Sequence, residues 1–236
     1  MNSSRASSFR LAVVLIATLA AVSGAVDVVS LVYAEVFVAN QTGNLVVVAA
    51  GSLTSADRVA LAVVALVCFT IGVVLAAVVR RVLLPHVSLT VVRETQLAIE
   101  VVLILAAGML MAFTPSDRGL RLLAPVGLLA LSQGIQAVLL TRLLGRGVRT
   151  VAVTGPLTDA IVAGVESWGR TTPPDGHRRH LVLLAVATPA GYAVGAALGA
   201  VAVRGGAHVA LAAAVVLSVI AALLARGVEL RGADIA

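Results

Sequence analysis

Asp27 is the residue whose chemistry contrasts most with its surroundings, because it separates the apolar runs "LAVVLIATLAAVSGAV" and "VVSLVYA". A carboxyl group within a membrane-spanning helix is costly, so it should face the protein interior or water. Such a group can bind a proton, contact a solute, or accept hydrogen bonds from a neighbouring backbone segment. The functional and the structural interpretations both remain open from the sequence, and they can coexist.

Two Thr-Gly phrases are the next polar features. The first contains Asn40, Gln41, Thr42, Gly43 and Asn44, and the second contains Thr154, Gly155, Thr158 and Asp159. We expect Gly43 to let the backbone turn, and Asn40, Thr42 or Asn44 to cap the helix that follows. In the second phrase Thr154 is the expected cap and Asp159 complements the helix dipole. The two helix N-termini can bind a polar solute, or Asp27 and Asp159 can simply neutralise them.

Further polar residues occur inside apolar segments. Gln133 and Gln136 form a stripe with Ser132, which can line a path or hydrogen-bond the second short segment. We expect Glu100 to pair with an arginine such as Arg93. A small-residue run of Gly191, Gly195 and Gly199 predicts close helix packing within the monomer rather than a dimer face.

The composition indicates what must position these residues. The chain has 236 residues, of which 60% are hydrophobic and 12% charged, and its apolar runs lack the alternation of a β-barrel. An all-α integral membrane protein is therefore predicted. All of its basic residues other than histidine are arginines, and they give a net charge of +6. Because only 3% of the residues are aromatic, this charge is better explained by anchoring of helix ends in the cytoplasm than by nucleic-acid binding.

No catalytic constellation is visible in the sequence. It has no phosphate-binding glycine loop and no nucleophile–base pair, so we expect no enzyme activity and no cofactor. His177 and His180 are close together, but without a third ligand they predict a solvated loop rather than a metal site.

Six segments are long enough to span a bilayer: about 11–33, 59–80, 97–114, 120–140, 181–203 and 207–225, the first as an uncleaved helix. Two short apolar segments, about 41–53 and 154–167, are predicted to be re-entrant. With six spans and both termini in the cytoplasm, thirteen arginines lie inside and four outside. Eight full spans would give ten and seven, so the six-span topology follows the positive-inside rule better.

The order of these segments predicts a 3+3 inverted repeat, with halves 1–116 and 117–236. Each half reads as span, short segment, span, span, and three crossings per half make the second copy inverted. Asp27 and Gln136 occupy matching positions in the first and fourth predicted spans. Inverted repeats with interrupted helices are common in transporters, whose sites lie near the midplane between the halves.

The chain resembles the YoaK family of bacterial membrane proteins, which share a domain of unknown function. The resemblance covers about residues 10–225 and rests on "GAVDVVSL", "VFVANQTGN", "SQGIQAVLL" and "RTVAVTGPLTD". It departs from the family pattern at Gln136-Ala137, where a Gln-Asn pair often stands. The family implies a multi-spanning inner-membrane protein and no established activity.

We therefore expect a transporter or channel of the bacterial inner membrane for a small neutral or weakly charged solute. The absence of arginine from the middle of the spans argues against a strongly anionic one. The expected partners are the lipid bilayer and a small polar solute or a proton, and a homo-oligomer is open. The alternative is a membrane scaffold or accessory protein whose buried polar groups are paired internally.

Overall fold

The computed structural model describes residues 3–113, 119–141 and 176–227, together with residues 155, 157, 158, 161, 162 and 165. All secondary structure in these residues is helical. The α-helices, in chain order, are α1 (Ser3–Ala34), α2 (Gln41–Ala49), α3 (Ala56–Leu83), α4 (Leu89–Phe113), α5 (Leu123–Thr141), α6 (Gly176–Ala202) and α7 (Ala207–Gly227). All except α2 are long and apolar enough to cross a membrane, which confirms the predicted six spans.

The helices exceed the predicted spans most at the start of α1 and, by the same eight residues, at the start of α4. That helix begins at Leu89, several residues before the span expected from hydropathy. Arg93, Gln96 and Glu100 lower the hydropathy of this stretch, but they are compatible with a helix and lie on its buried side. The first short apolar segment folds as α2 followed by a 3-10 turn at Gly51–Leu53. Gly155, Thr158 and the other described positions of the second short segment are helical.

Four of the long helices form the centre of the molecule. Helices α1, α7, α4 and α5 contact one another in a closed ring, in which the contact between α5 and α1 is the smallest. The two remaining long helices lie outside this ring, α6 against α1 and α3 against α5. Helices α1 and α5 are the most buried, with 72% and 67% of their apolar segments buried, and the outer helix α3 is the least, with 22%. The corresponding value is 33% for each of α4, α6 and α7.

The ends of the helices lie on two opposite sides of the bundle. On one side, Gly227 at the end of α7 lies against Leu11 near the start of α1. On the other side, the Arg58 side chain near the start of α3 donates from Nε to the carbonyl oxygen of Glu35, just after α1, at 2.9 Å. Helix α1 is therefore antiparallel to α3 and to α7. Contacting positions increase together along α1 and α6 and along α3 and α5, so each of these pairs is parallel.

Glycines bring each of these parallel pairs into close contact. In α6 the three predicted packing glycines face α1, so that a Cβ on any of them would meet the α1 backbone: Gly191 against Ala17, Gly195 against Ala21 and Gly199 against Ala25. This confirms that the run packs within the monomer. From the other side of the same interface, Gly24 of α1 lies against the backbone of Tyr192 and Ala196.

The pair formed by α3 and α5 is built in the same way. Gly72 of α3 lies against the carbonyl oxygen of Leu131, and Gly134 of α5 lies against the backbone of Phe69 and Val73. The helices approach so closely only because these positions have no side chain. The outer face of α3 carries exposed valines, leucines and isoleucines, as expected for contact with lipid.

Candidate functional site

The Asp27 carboxyl group lies in the last third of α1 and is almost fully buried. Its Oδ1 accepts hydrogen bonds from the backbone N–H groups of Val38 (2.8 Å) and Ala39 (2.7 Å). Its Oδ2 accepts one from the N–H of Asn40 (3.2 Å) and one from the Tyr192 hydroxyl (2.7 Å). A carboxylate has about four acceptor positions, and all four are used here. The group therefore binds the loop of residues 35–40, which we call the anchored loop, and ties it to α1 and α6.

The amide side chains of the first Thr-Gly phrase hold the same loop from its other end. Asn44 Oδ1 accepts from the Phe37 N–H (2.9 Å), and Asn44 Nδ2 donates to the Phe37 carbonyl oxygen (2.6 Å). Asn44 also donates to Gln41 Oε1 (2.9 Å), while Gln41 Nε2 donates to the Val38 carbonyl oxygen (2.7 Å). Backbone groups that would be orphaned at this depth are thereby satisfied.

Two expectations for this phrase are wrong in detail. Asn40 occupies the N-cap position of α2 without a side-chain capping bond, and Asn44 binds the Phe37 backbone instead of capping the helix. Gly43 lies within α2, not at a turn with positive φ. Its role is spatial, because a Cβ there would be 2.7 Å from the Phe37 ring. Asn40 and Thr42 are exposed.

The second Thr-Gly phrase is described only in part. Gly155 and Thr158 are helical and exposed, and a Cβ on Gly155 would contact nothing within 4 Å. Thr154 and Asp159 lie outside the described residues. The described residues of the two phrases are thus not seen to converge on one point.

A second buried polar group, which we call the amide cluster, joins α1 to α5. Ser23 donates from Oγ to Gln133 Oε1 at 2.7 Å, and Gln136 Nε2 donates to Ser23 Oγ and to the carbonyl oxygen of Leu19, both at 3.0 Å. All three polar side chains are fully buried. Among the described residues, Gln133 Nε2 has no hydrogen-bond partner. Ser132, in contrast, donates to the Leu129 carbonyl within its own helix.

A third buried polar group lies between α4 and α7. Glu100 is 1% exposed, and its Oε1 accepts a hydrogen bond of 3.4 Å from Ser218 Oγ. Its Oε2 has no partner in the described part of the chain. The expected pair with Arg93 is therefore wrong, because α7 brings a serine rather than an arginine to this carboxyl group. Gln96, one turn earlier, donates to the carbonyl oxygen of Ala76 on α3 at 3.3 Å.

Sequence reasoning missed two members of these groups. Tyr192 is one of only two tyrosines and stands in the glycine-rich face of α6, so its hydroxyl could have been considered as a partner of Asp27. Ser218 gave no usable signal, since a lone serine in an apolar helix is ordinary. Across the described residues, no three His, Cys, Asp or Glu side chains are grouped as metal ligands.

Comparison with known proteins gives one match. The family model described as "Protein of unknown function (DUF1275)" matches residues 15–224, which is most of the chain. Comparison with curated proteins and with solved structures found no match.

Proposed function

The chain belongs to the DUF1275 family of proteins of unknown function, which includes the YoaK proteins, and we propose that it is a transporter or channel of the bacterial inner membrane. Its solute is small and neutral or weakly charged. The observation that carries this proposal is the amide cluster in the middle of the bundle, where no described residue accepts a hydrogen bond from Gln133 Nε2. Buried polar groups within a membrane are expensive, and a group that the fold leaves unpaired is a candidate for binding a solute.

The chemistry of the amide cluster suits such a solute. Amides and hydroxyls both donate and accept hydrogen bonds without carrying charge. No arginine is found among the buried residues of α1 or α5, where the cluster lies. A polyol, urea or a neutral amide would therefore be recognised better than an anion. Asp27 takes a positioning role in this proposal, because its acceptor positions are filled by the anchored loop and Tyr192.

The glycine contacts support a 3+3 inverted repeat. A shift of 110 residues carries Ala21 and Gly24 of α1 to Leu131 and Gly134 of α5. A shift of 123 residues carries Phe69, Gly72 and Val73 of α3 to Tyr192, Gly195 and Ala196 of α6. When the residue numbers are shifted in this way, the close contacts between α3 and α5 correspond to those between α6 and α1. For example, the contact of Gly72 with Leu131 corresponds to that of Gly195 with Ala21. The contacts of α1 with α7 likewise correspond to those of α5 with α4.

In this repeat the amide cluster lies between the two halves. The same shift of 110 residues carries Ser23 to Gln133, and these two side chains are hydrogen-bonded to each other. Their contact therefore lies on the two-fold axis that would relate the halves. Transporters with inverted repeats bind their substrates at this interface.

The anchored loop supports a re-entrant course for the first short segment. Asp27 lies seven residues before the end of α1, about 10 Å along the helix at a rise of 1.5 Å per residue. The chain leaves α1 at Ala34 and returns to the depth of Asp27 at Val38. We further propose that the N-terminal end of α1 lies in the cytoplasm, the topology that the arginines favour.

The test is solute flux into liposomes that contain the purified protein. Glycerol and urea are the first probes, followed by neutral amino acids, with light scattering or radiolabel as the readout. We expect flux above that of empty vesicles, and a strong reduction in Gln133→Leu. The matched control is Ser132→Ala, since Ser132 is adjacent and equally buried but bonds only its own helix.

Stability must be compared in the same preparations. If Gln133→Leu does not fold, Gln133→Asn keeps an amide while withdrawing it from the cluster. A wild-type protein that is folded and moves none of these probes would contradict the transport proposal. The full internal pairing of Asp27 would then favour the second candidate, a scaffold or accessory protein that spans the membrane.

A further inference from the structure

Among the described residues, two carboxyl groups are buried within the spanning helices, and their environments are opposite. Asp27 receives four hydrogen bonds of 2.7–3.2 Å, three of them from backbone N–H groups. Glu100 receives one, from Ser218 at 3.4 Å, which is long for a hydroxyl donor. Its other oxygen is buried and has no partner among the described residues. A charge in an apolar interior needs compensating donors, and Glu100 lacks them.

We propose that Glu100 is a proton-binding site between α4 and α7. Its carboxyl group carries a proton while the protein is at rest and exchanges that proton during the transport cycle. The exchange of the proton during a transport cycle rests on the transport function proposed above. The protonation of Glu100 at rest does not depend on that function. The Ser218 hydroxyl can donate to the carboxylate or accept from the carboxylic acid, so it suits both states.

The charged groups on the neighbouring helices do not provide a counter-ion. On α4 itself, Glu94 pairs with Arg226 of α7 at 3.3 Å, and both are partly exposed. Helix α5 carries no charged residue between Leu123 and Leu139. Of the other described charged or histidine side chains on the adjoining helices, Asp27 of α1 binds the anchored loop. The rest lie towards helix ends: Arg10 on α1, Asp57, Arg58, Arg80 and Arg81 on α3, Arg93 on α4, and His208 on α7.

Polar side chains precede Glu100 on the buried side of α4. Gln96 and Arg93 precede it by four and seven residues, so the three side chains lie on one face of the helix, and all are buried. At 1.5 Å per residue this face reaches from Glu100 about 10 Å towards the start of α4. On the proposed topology that end is cytoplasmic, so we propose that protons reach Glu100 from the cytoplasmic side along this face.

The direct test uses dicyclohexylcarbodiimide, an apolar reagent that modifies protonated carboxyl groups. The carboxylic acid gives its proton to a carbodiimide nitrogen, the carboxylate oxygen adds to the central carbon, and rearrangement leaves a stable N-acylurea on the side chain. The full-length protein in liposomes is treated over a range of pH and analysed by peptide mass spectrometry. We expect an adduct on Glu100 that declines as the pH rises, and none on Asp27.

Three variants make the result specific. Glu100→Gln should lose the adduct, while Glu94→Gln, on the same helix but partly exposed and ion-paired, should retain it. Asp27→Asn should also retain it. Infrared spectroscopy gives an independent readout, because the carbonyl stretch of a protonated carboxyl group should be present in the wild type and lost in Glu100→Gln.

An adduct on Asp27 in place of Glu100 would overturn the assignment. So would the absence of both the adduct and the infrared band, provided that the reagent labels Glu100 in the acid-unfolded protein. Flux separates this proposal from the preceding one. If Glu100 is labelled but the protein moves no solute, the proton-binding site is supported and the transport proposal is contradicted. Solute flux driven by a pH gradient and unchanged in Glu100→Gln would remove the coupling role.

Discussion

Replacing Asp27 with asparagine tests whether this carboxyl group anchors the loop or serves a solute. The amide oxygen of asparagine can still accept from Val38 and Ala39, which share Oδ1 in the wild type. The amide nitrogen would then face two donors, the N–H of Asn40 and the hydroxyl of Tyr192. The Tyr192 hydroxyl can rotate and accept a hydrogen bond from the amide nitrogen, whereas the N–H of Asn40 can only donate. The bond to Asn40 is therefore lost, and the remaining hydrogen bonds no longer involve a charged carboxylate.

The expected size follows from these contacts. Hydrogen bonds to charged groups contribute about 1.5–3 kcal/mol each and neutral ones about 1 kcal/mol. Removing the buried charge also removes its desolvation cost, which offsets part of the loss. We therefore expect Asp27→Asn to lower the free energy of unfolding by about 2–3 kcal/mol. Tyr192→Phe should cost about 1.5–3 kcal/mol, and the double variant less than the sum, because both changes remove the same bond.

Equilibrium unfolding in mixed micelles measures these energies, and hydrogen exchange followed by mass spectrometry locates them. Peptides that cover residues 35–44 should exchange faster in Asp27→Asn, while those from α4 should not change. The control is Asp57→Asn, an exposed carboxyl group in the first turn of α3. Unchanged stability and unchanged exchange in Asp27→Asn, together with abolished flux, would refute the anchoring role and make Asp27 a solute ligand.

Two further predictions concern glycines. Gly195→Ala should destabilise the fold by about 1–3 kcal/mol, because the new Cβ would overlap the backbone of Ala21 and force α6 away from α1. Thermal unfolding in detergent measures this, with Gly51→Ala as the control, since the atom nearest to a Cβ at Gly51 is 3.9 Å away. A loss of stability no greater than that of Gly51→Ala would contradict the prediction. Gly43→Ala should speed hydrogen exchange in the anchored loop by displacing the Phe37 ring, and Phe37→Leu should restore much of the protection; failure of this rescue would mean that Gly43 is required for another reason.

The number of spans and the small-residue packing face could be predicted from the sequence because both depend on local composition. Long apolar runs and a four-residue spacing of glycines need no knowledge of the partner helix. The polar landmarks of the sequence predict a repeat that pairs Asp27 with Gln136, whereas the repeat that we propose from the glycine contacts pairs Asp27 with Ala137. Hydropathy locates a span but does not fix its register to one residue.

The hydrogen bonds of the site are harder to predict, because several of them depend on a distant segment and the others on how the chain turns back after α1. Tyr192 meets Asp27 across 165 residues, and Ser218 meets Glu100 across 118. Asn44 is one of three residues expected to cap α2, since asparagine is a favoured capping residue, but it binds the Phe37 backbone of the preceding loop instead. Residue type indicated which side chains needed partners, and the tertiary fold decided which partners they obtained.

The partners of α1 have a consequence for the order of biosynthesis. Helix α1 is synthesised before the other described helices, yet it packs most extensively on α6 and then on α7, which follow α5 in the chain. Its glycine face and Asp27 must therefore enter the membrane long before these helices exist. The more costly of the two is the carboxyl group of Asp27, which needs hydrogen-bond donors inside the membrane. The anchored loop supplies them early, because Val38, Ala39 and Asn40 follow Asp27 within thirteen residues and can bind its carboxyl group during insertion. A nascent chain stopped before α6 should consequently hold the loop in place while leaving the Gly24 face of α1 open to lipid or to quality-control proteases.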